Sequence, residues 1–508
     1  MSNAVKKVVI VGGGTAGWLT AAQVAAHHKA AGAENLQVIL VESSNIPTIG
    51  VGEGTWPTMK NTFKQIGLKE SDVFRQCHAV FKQGGKFVNW VHGNGDFYYH
   101  PFTVPMGYGR IDLAPYVKNI ENYAIEANFQ HHICEAGLAP RTLAEDEYQG
   151  PCNYAYHLDA GALVELLKKH SKEQLGVIQL IDNVQDTVLA EDGGIEAVIL
   201  QEKGALKADL FVDCTGSSSL LLGKALGVDF VDADDVLFND RALALQVPYE
   251  SDDAPIAGHT IATGQDVGWI WDIGLTHRRG VGHVYSSRFT SDEQAEQNLK
   301  NYLGDAYQEL TPRKISFRPG HREKFWYKNC VAVGMAAGFV EPLEATAIML
   351  IEITGRYIAE NIPAEASLMP IVAKRFNQQM DYRWQRIIDF LKLHYMLTKR
   401  PEPYWQAHCD ESTFPESLKE DLALWHFRGP TSQDFAGNSE LFPAASYQYV
   451  LYGMGFKPDY TKQAHLYQMQ QQAEQVILRN QKITEQMLQT LPKHRDYINR
   501  WLAQTQTK

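Results

Sequence analysis

Short apolar runs separated by polar and glycine-rich stretches organise the first part of the chain. Residues 7–11 (KVVIV) are apolar at nearly every position, the pattern of a strand covered on both faces. Residues 12–17 interrupt the run with glycine, residues 18–26 read as an alanine-rich helix, and residues 36–41 as a second buried strand. That order predicts a βαβ unit at the start of the protein. Residues 160–170 place Leu163, Leu166 and Leu167 on one helical face, and residues 177–181 and 195–201 predict strands, the second preceded by the turn-forming Asp192-Gly193-Gly194. Residues 210–212 predict another buried strand, which ends in Asp213-Cys214-Thr215-Gly216. Residues 269–273 and 285–289 alternate as strands do, and the apolar run 330–333 leads through glycines to a helix expected over 345–359. Beyond Arg375 the pattern is mainly helical. Val476, Ile483, Met487 and Leu491 recur at spacings of seven, four and four, so the glutamine-rich stretch 468–489 is expected to be a packed amphipathic helix rather than a low-complexity tail.

The glycines carry the first chemical signal. Gly12-x-Gly14-x-x-Gly17 stands between a strand and a helix, the context in which this spacing binds a dinucleotide. The first glycine permits the tight turn, the second lets backbone approach a pyrophosphate, and the third lets helix and strand pack closely. The helix N-terminus then offers its unpaired N–H groups to the phosphates. Glu42, 25 positions past Gly17 at the end of the second strand, is placed to accept hydrogen bonds from a ribose. The later strand with its Asp213-Cys214-Thr215-Gly216 turn resembles the ATG-like element of FAD-binding oxidoreductases, which favours FAD over NAD. No second strand-borne GxGxxG follows, so reduced flavin is expected from outside the chain.

Composition narrows the classes. A net charge of −12 argues against a broad nucleic-acid surface. The six cysteines form no CxxC pair, which gives zinc and dithiol readings little support. No signal segment opens the sequence, and no apolar stretch is long enough to span a bilayer, so a cytoplasmic protein without membrane partners is expected.

Four further segments resemble the flavin-dependent tryptophan halogenase family. These are residues 46–55 (IPTIGVGEGT), Val80-Phe81-Lys82 followed by Lys86-Phe87-Val88-Asn89-Trp90, Trp269-Ile270-Trp271-Asp272-Ile273-Gly274, and Gly338-Phe339-Val340-Glu341-Pro342-Leu343-Glu344-Ala345-Thr346. They occur in family order within a match that runs from residue 8 to about residue 460. The resemblance implies an α/β fold: an FAD-binding Rossmann-like domain of the glutathione-reductase/monooxygenase type over residues 1–375, discontinuous and carrying inserted sheet and substrate elements. A mainly helical C-terminal substrate region over 376–508 would follow.

The same resemblance implies an activity: FADH2, dioxygen and chloride or bromide are used to halogenate an electron-rich aromatic such as an indole or tryptophan derivative. A separate NAD(P)H-dependent flavin reductase would supply the FADH2, and a homodimer is compatible with the pattern. Lys82 would be the catalytic lysine that receives hypohalous acid, with Glu344 as its carboxylate partner. Backbone N–H groups at Thr346 and Ala347 would bind the halide ion. Here the chain departs from the family, reading Glu-Ala-Thr-Ala where Glu-Ser-Thr-Gly is usual, and Gly274 stands where the tryptophan signature has proline. Secondary flavin contacts carry over to Ala16, Ser43, Ile46, Ile49, Val51, Val184, Met335 and Ile348. His100 and Phe102 would face a flat substrate, with Phe456 closing the sandwich. Trp269 and Trp271, two apart on one strand, point the same way and serve as family markers rather than catalysts. The alternatives are a flavin-dependent aromatic monooxygenase, which would not need Lys82, and a catalytically impaired FAD-binding protein.

Overall fold

A computed structural model describes residues 4–32, 36–45, 52–308, 310–435, 437 and 440–505. The chain forms two compact units. The first comprises Met1–Ala79, Leu158–Ala233 and Arg318–Trp384, the second Val80–His157, Asp234–Phe317 and Gln385–Lys508.

The first unit is built on a largely parallel sheet. Among the described residues its strands lie in the order Trp326–Tyr327, Cys330–Ala332, Leu210–Asp213, Lys7–Val11, Gln37–Glu42, Ile178–Ile181. The Trp326–Tyr327 edge alone runs antiparallel within that set. Lys7–Val11 takes the centre because it is apolar on both faces, and Val8, Val9 and Ile10 have no exposed surface. Helix Thr15–Ala30 packs against helices Ala160–Glu173 and Thr346–Asn361. The expected βαβ unit is therefore present, its helix starting three residues earlier than the alanine pattern suggested. Backbone crowding sets the geometry of its turn. Gly12 adopts φ +123°, and a Cβ there would stand 2.1 Å from the Cys214 carbonyl oxygen. A Cβ at Gly17 would stand 1.8 Å from the Gly12 carbonyl oxygen.

The second unit centres on a sheet that, among the described residues, orders Arg313–Ser316, Arg241–Pro248, Arg278–Tyr285, Trp269–Gly274, Thr260–Gly264, Gly84–Val88 and Phe97–Pro101. One face packs Leu243, Leu245, Val247, Ile270 and Val281 against Ala295, Leu299 and Leu303 of helix Asp292–Leu303. The strand expected over 285–289 is corrected here: it runs Arg278–Tyr285, and the chain turns immediately afterwards. The turn is held by Asp240, whose carboxylate accepts the Ser287 N–H at 2.8 Å, and by the Phe289 N–H donating to the Ser286 carbonyl. Helix Gln470–Thr490 confirms the amphipathic reading of the glutamine-rich stretch. Ile483 and Met487 pack with Leu491 against Phe129, Ile133, Leu138 and Cys152. Among the described residues, no helix is long and apolar enough to cross a membrane, and the cysteines are free thiols.

The crowding at the first turn makes a direct prediction. Gly17→Ala should destabilise the protein by about 1–3 kcal/mol through overpacking and weaken FAD binding in parallel, read by denaturant unfolding and by flavin fluorescence titration. An alanine variant with unchanged stability would show that the turn yields more readily than its backbone contacts suggest.

Candidate active site

In the first unit the glycine turn, the acid and the second turn converge at the carboxyl ends of the central strands. The Gly14 N-cap gives helix Thr15–Ala30 no side-chain hydrogen bond, so its first-turn N–H groups remain available to an anion. A Cβ at Gly14 would meet nothing within 4 Å, in contrast to the crowded Gly12 and Gly17. The loop is thus tight where it touches protein and open where a pyrophosphate would approach. Ala16 lies beside the turn that follows strand Cys330–Ala332, because a Cβ on Gly334, next to Met335, would be 3.0 Å from the Ala16 Cβ.

Glu42 is already partly engaged. Its Oε2 accepts the Trp18 indole N–H at 3.0 Å, and its Oε1 accepts from Gln179 at 2.5 Å and pairs with Lys168 at 2.9 Å. A carboxylate offers about four lone-pair directions, so these bonds orient it and leave capacity for a ribose hydroxyl. Ser43, just past the strand, donates to Asn183 Oδ1 at 2.6 Å, next to Val184 at the start of strand Val184–Leu189. Ile46, Ile49 and Val51 lie outside the described residues.

A residue that the sequence reading passed over organises the second turn. The buried Asp213 carboxylate accepts from the Thr215 N–H and hydroxyl at 3.1 and 2.6 Å and from the Leu221 and Leu222 N–H groups at 2.9 and 2.8 Å. Its signal was an acid closing an otherwise apolar strand, and such a residue has to be hydrogen-bonded where it stops.

Glu344 is buried just before helix Thr346–Asn361, and its carbonyl accepts the Trp56 indole N–H at 2.8 Å. The expected helix start at Ala345 is corrected by one residue: Ala345 is the N-cap, in the left-handed region at φ +55°, ψ +41°, with no side-chain cap. A left-handed alanine is unusual, and such strain gathers at functional sites. Ile348 is buried on the same helix.

One turn further, Glu352 is almost wholly buried, with Oε2 accepting from Thr58 at 3.1 Å. Its backbone carbonyl takes the Gln23 amide at 3.0 Å, which ties this helix to Thr15–Ala30. Burial pushes the Glu352 carboxyl up to about 7, against smaller opposing effects from Thr62, Thr58 and Arg356.

The second unit holds Lys82. It ends strand Val80–Lys82, is 5% exposed, and its Nζ lies 5.2 Å from the centroid of the Phe102 ring. The Phe102 N–H donates to the Gln83 carbonyl at 3.1 Å, which brings the aromatic segment alongside the lysine. His100 is buried, with Nε2 2.8 Å from Ser446 Oγ and its ring packed on Phe390 and Tyr449. Phe456 lies edge-on to His426, 6.4 Å between centroids. Trp269 packs on Trp90 and Trp271 within the unit's core. A Cβ at Gly274 would meet Ile256 Cγ2 at 2.8 Å, which accounts for glycine at the position where the signature has proline.

With this geometry in place, comparison with known proteins is decisive. The family model described as tryptophan halogenase matches residues 7–470. The chain belongs to the tryptophan halogenase family. The 7-chloro-L-tryptophan 6-halogenase KtzR of Kutzneria sp. (strain 744) is 35% identical over 519 residues, covering 97% of this chain and 99% of that protein. Among solved structures, a tryptophan halogenase from Shewanella frigidimarina NCIMB 400 superposes with a TM-score of 0.94 at 43% identity, covering 98% of both chains. BrvH, a flavin-dependent halogenase from Brevundimonas sp. BAL3, superposes with a TM-score of 0.86 at 32% identity, covering 98% of this chain and 99% of that one. This halogenase is therefore a flavin-dependent enzyme. The open Gly14 face, the uncapped helix and the oriented Glu42 all fit an FAD.

Two outcomes follow for the halogenase. Glu352 binds its proton more tightly folded than unfolded, so its contribution to stability is complete below about pH 4.5 and is lost as pH rises through about 7. Glu352→Gln should therefore match the parent near pH 4.5 and exceed it by on the order of 2–3 kcal/mol at pH 8, measured by urea unfolding at the two pH values. Ala345→Gly should raise stability by up to about 1 kcal/mol, because relief of a left-handed alanine outweighs the added freedom of the unfolded chain. A lower midpoint in the same unfolding assay would show that the Ala345 methyl packs usefully.

Proposed function

We propose that this enzyme halogenates an electron-rich arene of the indole or tryptophan type, with chloride or bromide as the halide. The observation that carries the proposal is Lys82, a lysine 5% exposed whose Nζ sits 5.2 Å from the ring centroid of an aromatic expected to face substrate. Solvated surface lysines are not held this way. The family affiliation supports the substrate class, since KtzR is named for a chlorinated tryptophan.

Gly12, Gly14, Ala16, Gly17 and Glu42 would hold the dinucleotide, with Ser43, Ile46, Ile49, Val51, Val184, Met335 and Ile348 as further contacts. When bound and reduced, FAD supplies the electrons with which dioxygen converts halide to hypohalous acid. The Thr346 and Ala347 N–H groups hold the halide, using donors that a helix start leaves unpaired. Lys82 holds the electrophilic halogen against the arene, and the Glu344 carboxylate stabilises the cationic adduct and takes its ring proton as aromaticity returns. His100, Phe102 and Phe456 orient the flat ring through π contacts. A separate NAD(P)H-dependent flavin reductase provides the reduced cofactor, because the only strand-borne glycine fingerprint in the sequence is committed to FAD.

The test is a turnover assay with FAD, a flavin reductase, NADH and bromide over a panel of indoles. Lys82→Ala should bind FAD like the parent yet form no halogenated product, and Glu344→Gln should lower kcat by about 10²-fold or more. Retained halogenation in Lys82→Ala would remove the lysine from the mechanism. Hydroxylated product formed without halide would instead identify a monooxygenase, and tight FAD binding with no product a binding protein.

A further inference from the structure

Strand Val80–Lys82 pairs antiparallel with strand Ala155–Asp159, in the register Val80↔His157, Phe81↔Tyr156, Lys82↔Ala155. Directly opposed residues share a face, and alternate residues do too. Val80, Lys82, Ala155 and His157 therefore project to one side. Phe81 and Tyr156 project to the other, where Phe81 stacks on His494 and lies under the Arg141 guanidinium. Lys82 and His157 are diagonal neighbours, at a spacing of roughly 7–8 Å that long side chains bridge.

His157 has no exposed surface. Its Nε2 lies 2.8 Å from Thr260 Oγ1, whereas its buried Nδ1 has no hydrogen-bond partner among the described residues. A buried ring nitrogen left without a partner needs an explanation. The neighbouring imidazoles are differently placed. His494 uses both nitrogens, Nε2 accepting the Phe81 N–H at 3.2 Å and Nδ1 meeting the Ile256 carbonyl at 3.2 Å. His259 faces Tyr99 through Nε2 at 3.4 Å, and its buried Nδ1 is likewise without a hydrogen-bond partner among the described residues. Of these three rings, His157 is the one on the strand face that carries Lys82.

We infer that His157 is a positioning residue for Lys82, whose Nδ1 lone pair takes the Nζ proton when the amine engages the electrophilic halogen; this rests on the role proposed above for Lys82. In this role Nε2–H is the donor to Thr260 Oγ1, which leaves the lone pair at Nδ1. The proton leaves Nζ for Nδ1, and the freed Nζ electron pair meets the halogen of hypohalous acid. The imidazolium proton then passes to the departing hydroxide, which leaves as water. The proton later released by the arene recharges Nζ, so arene and hypohalous acid give haloarene and water with all charges restored. Burial, together with Lys82, His259 and His494, holds His157 well below the ordinary imidazole range. It therefore rests neutral, and once protonated it gives its proton up readily to the departing hydroxide.

His157→Gln places an amide N–H within reach of Thr260 but cannot exchange protons, and Thr260→Val, an isosteric change, removes the hydrogen-bond partner that holds Nε2. In the flavin-reductase-coupled bromination assay, kcat should fall by about 10²-fold in His157→Gln and about tenfold in Thr260→Val. KM for the indole and FAD affinity should stay within about twofold in both, while the solvent deuterium isotope effect on kcat rises. A kcat and isotope effect matching the parent in either folded variant would overturn the inference. Full halogenation by Lys82→Ala would instead overturn the reading on which it rests.

Discussion

The closeness of two backbone turns is the constraint from which the nucleotide-binding unit follows. Gly12 lies so near the Cys214 carbonyl, and Gly17 so near the Gly12 carbonyl, that a methyl at either position would overlap an oxygen. Interiors pack too densely to absorb such overlap without movement. The approach keeps the first strand beside the Leu210–Asp213 strand and fixes where helix Thr15–Ala30 begins. Asp213 completes the arrangement from the other side by gathering the donors of the turn that follows it. The anion-facing surface is then backbone, and its polarity is built into the chain path rather than supplied by basic side chains.

The second unit relies on the opposite device, ionisable side chains withdrawn from water. Lys82 is buried near aromatic and imidazole groups, and burial holds His157, His259 and His494 below the ordinary imidazole range. Neutral imidazoles around an amine avoid the cost of neighbouring like charges. The same unit buries Arg386, which is paired with Asp389 and Asp421 and lies 3.9 Å from Glu440, a network whose cohesion depends on every member being matched. The buried Arg386 guanidinium is thus held by carboxylates, and the Lys82 ammonium lies beside an aromatic face.

Both strategies bear on the departures from the family pattern. Alanine at position 345 sits in a conformation that glycine would adopt more easily, and it is tolerated because Trp56 and the Pro342 carbonyl hold the segment before it. Gly274 fills a space too small for a side chain beside Ile256 and Tyr249. Ala345 and Gly274 therefore each have a local packing context.

Local sequence determined the elements whose signal is periodic or conformational. The apolar run at residues 7–11, the three spaced glycines, the buried strand before Asp213 and the recurring Val476, Ile483, Met487 and Leu491 each encode one covered face or one tight turn, and each formed as its pattern implied. Lys82 and Glu344 stood out through segments resembling a family, since a lone lysine or glutamate carries no periodic signal. Tertiary structure alone decided the rest. Asp240 ends a strand at Tyr285 that alternation would have continued to Phe289, Gln179 and Lys168 take up Glu42, and Thr260 sets the ring of His157. Periodicity states which face of an element is hidden; it does not state which distant polar group will meet it there, and hydrogen bonding and proton affinity are set by that meeting.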